Sequence, residues 1–179
     1  MIFHTLEIPG AFLIEPVKKA DRRGFFARTY CRLELEERGL DPTLVQCNVS
    51  VNAKKGTVRG MHWQAEPYEE IKMVRATAGA IHDVVLDLRP DSPTFLQHAS
   101  AVLTRENRHA LYIPAGCAHG FQSLEDDTEV FYQMSEFYYP DHARGARWND
   151  PAFEISWPLP ISEISPKDES FPDFQPAPE

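Results

Sequence analysis

From residue 43 to residue 137 the chain is a succession of short strand-like runs, each closed by Gly, Pro, Asn or Asp, and this punctuation narrows the available folds more than any other feature. The runs 43–51, 58–64, 71–77, 80–88, 95–103, 109–113, 119–124 and 128–137 follow one another too closely for crossover helices between them. Only 32–39 reads as helical, a short segment closed by Gly39. Many short strands at this spacing predict an all-β antiparallel sandwich or barrel, most simply a jelly roll. Residues 54–56, Gly79 and 104–107 read as hairpin turns. No linker or repeat divides the 179 residues, so one domain, 1–179, is expected. The proline-rich stretch 158–179 reads as an extended tail laid over the body, with its last few residues loose.

Charge and cysteine content exclude several functions. A formal net charge of −9 argues against nucleic acid, which needs a basic surface to displace counterions. A small anionic ligand remains open if a few arginines gather in one cleft. No run approaches the ~20 apolar residues of a membrane helix, and the start lacks the pattern of a secretory signal. Three scattered cysteines, Cys31, Cys47 and Cys117, form no CxxC pair and suit free thiols in a reducing cytoplasm.

Polar residues recur where a strand should face a core. Gln46, Asn48 and Ser50 share one face of the run 43–51, Lys72 alternates with Val74 and Ala76, and Tyr132 lies between Val130 and Met134. Lining a barrel with such groups is costly unless its mouth holds a polar ligand. Two histidine segments accompany them: Gly56-Thr-Val-Arg-Gly-Met-His62-Trp-Gln64 and Pro114-Ala-Gly-Cys-Ala-His119. Their spacing resembles the two cupin motifs. Metal-binding cupins carry a second histidine where this chain has Gln64, and neither Glu69 nor Glu70 sits at the motif's distance from Gly79. Two histidines and an ill-placed acid make a poor shell for a transition metal, so no metal is expected.

The wider pattern resembles the dTDP-4-dehydrorhamnose 3,5-epimerase family and its deoxysugar-epimerase relatives. The resemblance rests on collinear stretches at 21–26, 46–50, 56–64, 79–89, 92–95, 113–121, 129–132, 138–140, 148–151 and 165–168, with Lys72 between them. It implies a jelly-roll homodimer with an exchanged N-terminal segment, working without metal or organic cofactor on a nucleotide-diphosphate deoxysugar. It implies that His62 is the base with Asp168 as its partner, that Lys72 steadies the enolate, and that Tyr132 is the acid on the opposite face. Arg23, Phe25, Gln46, Asn48, Arg59, His119 and Tyr138 are the implied substrate contacts. These roles make chemical sense: a carbon acid beside a ketone needs its enolate oxygen stabilised, and inversion needs a base and a separate acid. A lysine near Tyr132 would ease loss of the phenolic proton.

The chain departs from the family pattern at Arg28, where an acidic residue is usual, at Trp63, and at Glu69 and Glu70, where a glutamine commonly precedes the lysine. These positions leave the proton-transfer set intact and bear on the base and sugar. Thymidine diphosphate is expected, with CDP or GDP sugars open, and inversion at carbon 3, carbon 5 or both is undecided. Rival readings are a metal-dependent cupin oxygenase or isomerase and a non-catalytic sugar-nucleotide binding module.

Overall fold

A computed structural model describes residues 1–175, in which two antiparallel sheets face each other. The chain enters through β1 (Ile2–Thr5), β2 (Phe12–Glu15), β3 (Lys19–Asp21) and β4 (Gly24–Phe26), then a single helical turn and a half, α1 (Arg32–Glu36). The body follows as β5 (Gln46–Asn52), β6 (Val58–Gln64), β7 (Lys72–Ala78), β8 (Ala80–Asp87), β9 (His98–Thr104), β10 (Ala110–Ile113), β11 (Cys117–Ser123) and β12 (Thr128–Met134). A short β13 (Ala143–Gly145) and a four-residue α2 (Pro166–Glu169) complete it. The six-stranded sheet runs β1-β2-β10-β7-β12-β5 and the five-stranded sheet β13-β6-β11-β8-β9, while β3 and β4 form a separate hairpin. This is the all-β jelly roll expected from the strand spacing. No helix among the described residues is long and apolar enough to cross a membrane.

The core forms where the two sheets meet. Val74, Ala76, Leu111, Ile113 and Val130 from one sheet pack against Ile81, Val85, Leu103 and Phe121 from the other. A fully buried Val, Leu or Ile contributes about 1.5–3 kcal/mol, so this end of the sandwich holds the two sheets together. The other end carries the polar inward residues. On β5, Gln46, Asn48 and Ser50 point inward and are half-buried, whereas Cys47, Val49 and Val51 are exposed on the outer face.

The three turns expected to close hairpins instead carry the chain from one sheet to the other. Residues 53–57 join β5 to β6, Gly79 joins β7 to β8, and 105–109 join β9 to β10, and each pair of strands lies in different sheets. Turn chemistry announces a reversal but not the sheet that receives the next strand. Gly79 has φ of 66°, and a Cβ there would collide with Thr128, so both the conformation and the close approach require glycine. The tail after residue 158 does lie over the body: Leu159 and Gln122 exchange hydrogen bonds, Val58 N–H donates to Glu163 O, and Ser162 N–H donates to Gly56 O. The expected looseness of the final residues concerns positions outside those described.

Candidate active site

At the polar end, between the sheets, lies a cavity of about 720 Å³. Its wall draws Gln46 and Asn48 from β5, Arg59 and His62 from β6, Lys72 from β7, His119 from β11 and Tyr132 from β12. Tyr138, on the loop after β12, and Asp168, on the tail, complete the set. Nine of the eleven residues expected to act therefore share one enclosure, seven of them contributed by five strands.

His62 owes its orientation to the tail. Its Nε2 lies 2.6 Å from Asp168 Oδ1, and Asp168 Oδ2 accepts the Gly60 N–H at 3.3 Å. Asp168 sits in α2, whose N-cap Ser165 accepts the Asp168 N–H through its hydroxyl. Burial alone would raise the Asp168 carboxyl, yet the His62 hydrogen bond and charge, with Gly60 N–H and Ser165 behind them, hold it below the usual carboxylate range. An ionised Asp168 accepts from the Nε2–H, which leaves the Nδ1 lone pair as the basic site. The His62 side chain is 42% exposed while Asp168 is only 5% exposed, so the imidazole is open and its partner closed. The Phe171 ring stands edge-on to His62 and covers Gly145, where a Cβ would strike it.

Directly opposite His62 in the β6–β11 register is His119. Its Nε2 is 2.7 Å from Asp83 Oδ1 of neighbouring β8, and the pair is shut in, with His119 only 11% exposed and Asp83 fully buried. Lys72 donates to the His62 carbonyl at 3.2 Å and forms an ion pair with Glu70 Oε1 at 2.8 Å. Arg59 is braced by Asn52 Oδ1 at 2.8 Å and reaches the Val51 carbonyl at 3.3 Å. Tyr132 is pushed up by burial, with the Arg59 charge opposing. The expectation that a lysine would ease its deprotonation is thus corrected: the opposing cation is Arg59, and burial outweighs it.

Arg23 and Phe25 do not reach the cavity of their own chain. Arg23 is 84% exposed on the β3–β4 turn and paired with Asp21, and Phe25 lies beside Lys18 and Arg108. Arg144, Lys167 and Glu70 also line the cavity without having been singled out as site residues. Lys167 was legible as the neighbour of Asp168 in the same motif; Arg144 carries no sequence signal. Gln64, in the place of a cupin metal ligand, is held by three hydrogen bonds: it donates to the Tyr68 and Phe137 carbonyls and accepts from Tyr139 N–H. Among the described residues, no three His, Cys, Asp or Glu side chains stand in a metal-holding group.

Comparisons with known proteins agree with this geometry. The dTDP-4-dehydrorhamnose 3,5-epimerase family profile matches residues 5–176. A dTDP-4-dehydrorhamnose 3,5-epimerase of Sinorhizobium fredii is 42% identical over 97% of this chain and 90% of its own length. Among solved structures, the Bacillus anthracis enzyme, determined with TDP and PPi bound, superposes with a TM-score of 0.89 at 41% identity, covering 97% of this chain and 100% of that one. The Legionella pneumophila enzyme, in complex with dTDP-4-keto-L-rhamnose, gives 0.87 at 35% identity, covering 93% and 89%. A profile that spans nearly the whole chain and relatives matched end to end leave one assignment: the chain belongs to the dTDP-4-dehydrorhamnose 3,5-epimerase family.

Proposed function

We propose that this isomerase inverts carbons 3 and 5 of dTDP-4-dehydro-6-deoxy-D-glucose, giving dTDP-4-dehydro-L-rhamnose. The observation that carries the reading is the oriented His62–Asp168 pair opening onto the same cavity as Lys72 and Tyr132. His62 Nδ1 takes the proton from the carbon beside the ketone, and the electron pair of the broken C–H bond moves to the ketone oxygen. Lys72 N–H meets that developing charge; one such donor accounts for about 10²–10³-fold in rate. Tyr132 then returns a proton to the opposite face of the carbon, and solvent restores both side chains. The reaction runs once at each carbon. Arg59, Arg144 and Lys167 supply positive charge along the wall for the diphosphate, with arginine suited to its paired oxygens.

The active unit is a homodimer in the cytoplasm. The β3–β4 hairpin, exposed with Phe25 and Phe26 and turned from its own cavity, would deliver Arg23 and Phe25 to the cavity of the second subunit. Edge strand β5, with exposed Val49 and Val51, provides apolar surface for the contact. Sedimentation of a dimer, dissociated by Phe26→Asp, is the expected result.

The deciding test of the chemistry is incubation with dTDP-4-keto-6-deoxyglucose in deuterated water followed by mass measurement. Uptake of two deuterons is expected; one would mean a monoepimerase, and none would sink the proposal. Tyr132→Phe should slow net inversion about 10²-fold while solvent exchange at the deprotonated carbon persists. A CDP- or GDP-linked sugar turned over faster than the thymidine compound would reassign the nucleotide.

A further inference from the structure

Lysine is a flexible reagent: its ammonium rides on four methylenes and offers three N–H donors with no preferred direction. In the cavity the ammonium already has two partners. It donates to the His62 carbonyl at 3.2 Å and forms an ion pair with Glu70 Oε1 at 2.8 Å. The ion pair is closed to water, with the Lys72 side chain 9% and the Glu70 side chain 3% exposed. Glu70 Oε2 is buried and makes no hydrogen bond to any described residue, so the ammonium is the only polar group holding this carboxylate. Burying a carboxylate with so few partners is expensive and does nothing for the apolar core. It makes sense where the position of the lysine matters.

We propose that Glu70 is a positioning residue: it pins the Lys72 ammonium so that a free N–H points into the cavity at the ketone oxygen of the substrate. This rests on the reading that Lys72 stabilises the enolate. The geometry is that of a tripod with two feet planted. The backbone foot comes from His62 itself, so base and oxyanion donor are tied together through one residue, and Glu70 supplies the foot that stops the stem from swinging. His119 and Tyr132, which also face the cavity, make no bond to Lys72 and cannot replace it. Glu70 touches no reacting atom in this scheme and acts wholly through the lysine.

The test is a double-mutant cycle on the full chain, with kcat and KM measured separately. Glu70→Ala should lower kcat about 10- to 100-fold, the range that small misplacements of a catalytic group produce, with KM moved by less than about 2-fold. Glu70→Gln keeps the Oε1 acceptor and the shape, and should restore kcat to within about 5-fold of the parent. In a Lys72→Met background Glu70→Ala should cost nothing more, since there is nothing left to aim. The inference is overturned if folded Glu70→Ala enzyme keeps full kcat, if Glu70→Gln loses as much kcat as Glu70→Ala, if the loss lies in KM, or if the Glu70→Ala and Lys72→Met losses multiply. Thermal unfolding of Glu70→Gln guards against reading misfolding as mechanism. Full activity in Lys72→Met alone would instead overturn the enolate reading, a result distinct from any failure of Glu70.

Discussion

Two histidine–carboxylate pairs stand side by side in the five-stranded sheet, His62–Asp168 and His119–Asp83, with similar hydrogen-bond lengths of 2.6 and 2.7 Å. Their surroundings differ. His119 takes its carboxylate from the adjacent strand of the same sheet, and both groups are enclosed; His62 takes its carboxylate from α2 in the tail, and its ring opens on the cavity. Under the proposed mechanism, pairing with a carboxylate is therefore not what distinguishes the base from His119. Access of the free ring nitrogen to a ligand is, together with a partner that fixes the tautomer without filling the cavity.

That contrast can be broken by mutation. His62→Ala should reduce deuterium exchange by about 10⁴-fold, the upper range for loss of a general base, with nucleotide binding nearly unchanged by calorimetry. Asp168→Asn should cost about 10²–10³-fold in kcat, because the amide cannot hold the same tautomer or balance the imidazolium. His119→Asn should behave differently: KM for the nucleotide sugar rises about 10-fold and kcat changes less than about 3-fold, while stability drops by about 1–3 kcal/mol as Asp83 loses its partner. A kcat loss in His119→Asn as deep as in His62→Ala would erase the distinction.

The smallest expected effect concerns pH. Asp87, on the same strand as Asp83, is opposed by burial but brought down to about 2 by Arg89, Ser92 and Thr94. A carboxyl held below its unfolded value of 3.8 adds stability at neutral pH that fades as pH falls through the folded value. Urea melts should thus lose about 2 kcal/mol from this group between pH 4 and pH 2, and Asp87→Asn should hurt far less at pH 2 than at pH 7. Asp168 has the same sign.

What sequence reading could reach depended on range. The β6 strand was legible to the residue, because its alternation is local. The polar face of β5 pointed to a lined cavity for the same reason. Strands β1 to β4 and β13 were not read, since each has only three or four residues and most of these are solvent-accessible, without the alternation that burial imposes. Sheet membership across the turns at 53–57, Gly79 and 105–109 was misread because it is decided by packing between distant strands. Asp168 was recoverable only through its resemblance motif; by composition it is a charged residue in a tail. Glu70 looked like a departure from pattern, and only its contact with Lys72 shows what it touches.

The origin of Asp168 in the tail also bears on how the enzyme is made. His62 and Asp168 are 106 positions apart, so at typical synthesis rates of about 5–20 residues per second the ribosome delivers the imidazole roughly 5–20 s before its carboxylate. A nascent chain can order β6 in that interval and still leave the His62 imidazole without the hydrogen bond that fixes its ring. Under the proposed mechanism, docking of α2 against β6 is then the step that orients the base.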